Sequence, residues 1–160
     1  MPPFEIENLN SLKQYEGREF PATDWFVVTQ DRIRKFADAT EDRQWIHLDL
    51  ERAQRESPFG GTVAHGFLTL SLLSYWMKQA IHIRSGVSMA VNYGLNKVRF
   101  PSAVRAGSKV RARVTLLSVK ESPEFVDAVF LIPVESQGVE SQPIGKPCCV
   151  VEWLVRYYRQ

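Results

Sequence analysis

The segment Ala39-Thr-Glu-Asp-Arg-Gln-Trp-Ile-His47 sets a carboxylate and an imidazole five residues apart, in a stretch without clear periodicity that directly follows a helical pattern. Loops held between rigid elements commonly carry function. Asp and His side chains ordinarily titrate near pH 3.9 and 6.5, so a water held between Asp42 and His47 could lose a proton to one of them near neutral pH, while the paired proton reaches a substrate through the same site. The same residues also have a plainer explanation. Asp42 could cap a turn, and His47 could be a half-buried histidine bonded to a carbonyl.

A second feature, Gly60-Gly-Thr-Val-Ala-His-Gly66, leads into a long apolar run and would place free backbone N–H groups at a helix start, where they favour developing negative charge. A carbonyl bonded to the Gly66 N–H would be polarised there, and the missing side chain would allow close approach. Glycines before helices also simply make turns. His65 reads as a structural residue bonding to backbone near the helix start, and His82 as a surface residue at that helix's end. Neither histidine has a second ligand at a metal-type spacing, so no metal is expected. Ser74, inside the helix, would ordinarily bond back to the preceding turn. Nucleotide-binding glycine fingerprints, a phosphate-loop lysine and a nucleophile elbow are all missing from the sequence.

The elements that must position these residues can be read from pattern. Asp24 to Val28 suggests a short strand, and Thr29 can cap a helix with Ile33, Phe36 and Ala37 on its apolar face. Asp49 can cap a short helix to about Arg55, which Ser57 to Gly61 ends as a loop. From about Ala64 to Met77 apolar residues surround nearly the whole helical circumference, the pattern of a central helix enclosed on most sides. Val87–Phe100, Ser108–Lys120, Glu124–Val134 and Pro147–Tyr158 read as long antiparallel strands. Alternation is clearest in Lys109 to Thr115, where Val110, Ala112 and Val114 share one face. The expected class is α+β, with a curved sheet packed around one helix.

Composition narrows the function classes. The 160 residues are 44% hydrophobic and 24% charged, within the soluble globular range, and no linker or repeat divides residues 1–160 into more than one domain. Twenty basic and 18 acidic residues are interspersed for a net charge of +2, which offers no field for nucleic acid or a membrane surface. Cys148 and Cys149 are adjacent, read as buried reduced thiols, and point to a cytoplasmic setting. The N-terminus lacks a signal-like pattern, and the apolar run is shorter than the roughly 20 residues a bilayer crossing needs.

Together, Phe36-Ala-Asp-Ala-Thr-Glu-Asp-Arg-Gln-Trp-Ile-His-Leu-Asp49, Gly60-Gly-Thr-Val-Ala-His-Gly-Phe-Leu-Thr-Leu-Ser-Leu-Leu-Ser74 and Val91-Asn-Tyr-Gly-Leu-Asn-Lys-Val-Arg-Phe-Pro101 resemble the MaoC-like (R)-specific enoyl-CoA hydratases, nearest their nodulation protein N-like branch. The resemblance implies a hot-dog fold, a homodimer with the acyl-CoA pocket near the subunit interface, and reversible syn addition of water to a trans-2-enoyl-CoA without a cofactor. It matches Asp42 and His47 to the catalytic pair, Gly66 to the residue that binds the thioester oxygen, and Ser74 to a supporting helix serine. Where Asn-Pro commonly stands in the family, this chain has Gln44 and Trp45; Gln44 could orient the water or carbonyl, and Trp45 could reshape the acyl pocket. Because fold does not fix function, a non-catalytic acyl-CoA-binding module is the alternative from another class, and a thioesterase the alternative enzyme.

Overall fold

A computed structural model describes residues 1–138 and 146–160. Its main sheet is antiparallel, with β2 (Phe26–Val27), β5 (Lys109–Ala112), β7 (Phe125–Gln137), β8 (Cys149–Arg159) and β4 (Val87–Arg99) side by side in that order. Strand β6 (Thr115–Glu121) pairs with β7 beyond β5. The segment read as one strand over Ser108–Lys120 is therefore two, interrupted at Arg113-Val114. The alternation survives the break: Val110, Ala112 and Val114 are all fully buried, as a one-sided sheet requires. On the other face Arg111 and Arg113 converge on the Glu135 carboxylate of β7, at 2.6 Å each.

The apolar run after His65 forms α4 (Gly66–Ser71) and α5 (Leu73–Ala80), broken at Leu72. Leu68, Leu72, Leu73, Trp76, Met77 and Ala80 are buried in one core with sheet residues such as Ala112, Phe130, Ile132, Val151 and Trp153. The expectation of a helix enclosed on most sides is only half met, because Phe67 is 66% exposed and Tyr75 44%. Apolar residues circle the helix for two separate reasons. One stripe fills the core, while Phe67 and Tyr75 lean outward on Phe100 and Phe26 with ring centroids 6.0 and 5.4 Å apart.

Before this helix, Thr29 caps α1 (Gln30–Thr40) by accepting the Arg32 N–H, and Ile33 and Ala37 are buried beneath it. Asp49 caps α3 (Leu50–Glu56) in the same way through Arg52. Within the stretch read as irregular lies a four-residue helix, α2 (Trp45–Leu48), too short to show a period. Also unforeseen are β1 (Phe4–Ile6), the 3-10 helix Leu9–Tyr15 and β3 (Ile81–Ile83), which pairs in parallel with β1. Among the described residues no helix is long and apolar enough to cross a membrane.

Candidate active site

Helix α1 stops at Thr40, and Glu41 takes φ 61°, ψ 11°, a left-handed conformation uncommon outside glycine. This turn and the single-turn helix α2 bring the Asp42 carboxylate and a ring nitrogen of His47 together, and His65 joins them; one potential ligand atom from each lies within 4.8 Å of the others. Asp42 is exposed, while His47 and His65 are 7% and 3% exposed. An exposed carboxylate beside a buried imidazole suits a site that admits a polar reactant from solvent.

The main chain around His47 is bolted from several directions. Gln30 of α1 donates to the His47 carbonyl at 2.7 Å and accepts the Thr62 hydroxyl, so one amide ties α2 to the glycine-rich loop. The Val63 N–H donates to the Ile46 carbonyl at 3.0 Å, and Ala64 N–H to Val104 at 2.7 Å. The His47 side chain is aimed by the same loop: Nδ1 lies 2.7 Å from the Val63 carbonyl. A carbonyl only accepts, so Nδ1 carries the proton and Nε2 of the neutral ring is a bare acceptor. Burial pushes the His47 pKa below its ordinary value, against the pull of the Val63 bond in the other direction. The neutral, proton-accepting ring is therefore the form favoured near pH 7.

His65 stacks on His47, with centroids 3.7 Å apart and planes 22° from parallel, and Phe36 packs against it at 4.9 Å. Its Nε2 lies 2.9 Å from the Asp42 carbonyl, so Nε2 is the donor, and the buried Nδ1 then has no hydrogen-bond partner among the described residues. An unpaired buried acceptor of this kind costs about 1–3 kcal/mol. The reading of His65 as a backbone-bonding residue near the helix start is thus met, but its carbonyl belongs to Asp42 rather than to the local turn. One nitrogen of each ring is already committed to a backbone carbonyl, His47 Nδ1 to Val63 and His65 Nε2 to Asp42, which leaves few donors for a shared metal. This donor set fits a metal poorly.

A cavity of about 370 Å³ beside His47 is lined by Ile46, Phe59, Val63, Gly66, Thr69, Phe100, Val104 and Cys148 among others. Gly66 opens α4, so its N–H has no acceptor within the helix. Its lack of a side chain has a packing reason too: a Cβ there would sit 3.0 Å from Phe100 Cγ. Gln44 is exposed at the N-cap of α2 and makes no side-chain capping bond. Trp45 lies under the Arg52 guanidinium at 4.2 Å, while its neighbour Ile46 lines the cavity beside His47. Ser74 is not brought to His47 within one chain. It borders two cavities further along the helix, with Leu73, Asn92 and Trp153 in one and Met77, Val155 and Tyr157 in the other. His82 is an exposed residue of β3, 3.1 Å from Glu5.

Sequence reading missed Gln30, Phe36 and Phe100 as parts of the site, and the stacking partner role of His65. Gln30 and Phe36 sit at ordinary helix positions, and Phe100 directly follows β4, so no local pattern marks them. Both cysteines are buried and free, and burial pushes their thiols up, to about 12 for Cys148 and about 11 for Cys149.

Residues 11–129 match the family model described as MaoC like domain. The chain is 45% identical over 153 residues to 3-hydroxyacyl-thioester dehydratase Z of Mycobacterium tuberculosis, covering 95% of this chain and 97% of the relative. It is 43% identical over 138 residues to nodulation protein N of Rhizobium leguminosarum bv. viciae, covering 86% and 83%. Among solved structures, the (R)-hydratase from A. caviae involved in PHA biosynthesis superposes with a TM-score of 0.68 at 22% identity, over 88% of this chain and 94% of that one. The curled antiparallel sheet around a helix is the hot-dog fold, and the enzyme class is that of the hydro-lyases. This chain belongs to the MaoC-like dehydratase family.

Proposed function

We propose that the protein is an (R)-specific enoyl-CoA hydratase, adding water to trans-2-enoyl-CoA thioesters and catalysing the reverse dehydration with the same groups. One observation carries the proposal: a ring nitrogen of His47 and the Asp42 carboxylate stand close enough to share a water, and His47 lines a mainly apolar cavity. The pair orients the water and takes its proton. The hydroxyl adds to C3, electron density moves through C2 to the thioester oxygen, and the proton returns from the pair to C2. The Gly66 N–H binds the thioester oxygen as charge develops. Gln44, beside the pair, orients water or carbonyl, and Ser74 positions substrate along the helix. All atoms of water enter the product, so no cofactor is required.

A homodimer and a cytoplasmic location complete the reading. Strand β4 is 13 residues long, pairs only with β8 among the described residues, and exposes Met89, Tyr93 and Leu95 at 45% or more. An open, apolar edge of this length is a template for pairing with a second copy. The free thiols of Cys148 and Cys149 suit a reducing compartment.

The test is loss of the conjugated enoyl-thioester absorbance with crotonyl-CoA and a longer trans-2-enoyl-CoA, with product stereochemistry determined. Wild type should give the (R)-alcohol, and Asp42→Asn and His47→Ala should lose at least about a hundredfold in rate. CoA-ester binding without turnover would support a binding module instead, and release of free CoA a thioesterase.

A further inference from the structure

We infer that His65 is a positioning residue that holds both members of the Asp42–His47 pair, its Nε2–H fixing the Asp42 peptide and its ring face fixing the plane of His47. The inference rests on the pair having the role just proposed. His65 stands at the N-cap of α4, yet its side chain makes no capping bond there. Instead it reaches 23 residues back in sequence to the Asp42 carbonyl. The Asp42 carboxylate itself is only loosely held, with one contact of 3.5 Å from the Gln44 N–H. Its direction is therefore set by the backbone, which is constrained before Asp42 by the left-handed Glu41 and after it by the His65 bond.

Residue chemistry separates the two tasks. A phenylalanine would stack on His47 but could not donate to the carbonyl. A glutamine would donate from nearly the same point but could not present a ring face. Of these three side chains only the imidazole does both, and it does so while Nδ1 has no hydrogen-bond partner among the described residues.

The titratable groups facing His47 are Asp42 from the loop after α1, His65 at the start of α4, and Cys148 across the cavity from the segment before β8. Burial is the main influence on His47, and the His65 ring supplies part of that burial. Removing the ring admits water and removes the His65 charge, and both changes raise the His47 titration midpoint; a phenyl ring keeps the burial and loses only the charge, so it raises the midpoint less.

The experiment compares full-length wild type, His65→Phe and His65→Gln by amide hydrogen exchange, NMR titration of the His47 ring, and crotonyl-CoA turnover. In His65→Phe, exchange at Arg43 and Gln44 should quicken by roughly three- to tenfold while the His47 midpoint rises less than in His65→Gln. In His65→Gln, exchange should stay within about twofold of wild type while the His47 midpoint rises. Both variants should lose about tenfold or more in kcat with KM little changed. Wild-type exchange in the Phe variant, or a wild-type midpoint in the Gln variant, would overturn the inference. Should neither variant fold, long-range nitrogen–proton correlation on wild type decides: a proton on His65 Nε2 supports the inference, and one on Nδ1 overturns it. An inactive wild type would sink the proposed reaction, whereas exchange, titration and tautomer would still decide the positioning role.

Discussion

Replacing Gly66 by alanine should damage catalysis while sparing the fold. The new methyl would lie 3.0 Å from Phe100 Cγ and 3.1 Å from each Cδ, where ordinary contact begins near 3.4 Å. The ring must yield by a few tenths of an ångström, and it can, because Phe100 is 41% exposed. Overpacking of this size falls at the low end of its range, about 1 kcal/mol. Alanine's better helix propensity returns up to about 1 kcal/mol, less in a first turn. Stability should therefore change by no more than about 1 kcal/mol, a Tm shift of roughly 2–4 °C. Phe100 borders the His47 cavity, so the displaced ring and the methyl both intrude where the thioester must lie. A misplacement approaching 1 Å can reduce rate about a hundredfold, so a loss of roughly ten- to a hundredfold in kcat/KM is expected. The assays are thermal unfolding and steady-state hydration of crotonyl-CoA, with Phe100→Ala alone and combined with Gly66→Ala. The alanine at position 100 should return at least about threefold of the lost activity, since it removes Cγ and both Cδ carbons, the atoms in contact. Unaltered kcat/KM in Gly66→Ala, or no recovery in the double variant, would refute the reasoning.

Other outcomes follow from the same geometry. Gln30→Leu strands the His47 carbonyl and the Thr62 hydroxyl, and should lower stability by about 1–3 kcal/mol in denaturant unfolding together with a fall in kcat. His47 is depressed in the folded state, so as pH falls through the unfolded histidine value near 6.5 the unfolded chain takes up a proton that the folded chain refuses. Stability should decline from that point until the folded value is reached, and His47→Gln should flatten this part of the pH–stability curve. For the same reason the acidic limb of kcat/KM should lie below about pH 6.5. Tyr93→Lys with Leu95→Lys places like charges on the open β4 edge and should shift the protein to monomer in sedimentation experiments.

Local signals carried much of the architecture. The caps Thr29 and Asp49 mark α1 and α3 because a short side-chain oxygen satisfies a helix's first free N–H groups, a chemistry confined to a few neighbouring residues. The alternation at Val110, Ala112 and Val114 states which face of the sheet is wet. The break between β5 and β6 was invisible because Arg113 and Val114 continue the alternation straight through it. At the site, the Asp42 and His47 spacing was legible, but the bonds that aim them were not. Gln30 meets His47 17 residues away, and His65 meets Asp42 23 residues away, distances over which no periodicity operates. The break at Leu72 and the outward Phe67 likewise depend on what the helix meets in space.

The bonds that aim the pair all lie between residues 30 and 65: Gln30 to His47 and Thr62, His47 to Val63, and His65 to Asp42. The walls of the cavities beside α5 come chiefly from elsewhere, from Met77, Ala90, Trp153, Val155 and Tyr157. With Ser74 positioning substrate as proposed, the proton chemistry and this part of the substrate fit are written in different stretches of the chain. Under the proposed reaction, substitutions in the sheet could diversify the accepted acyl group, lineage by lineage, without retuning the proton-handling cassette that acts on its head.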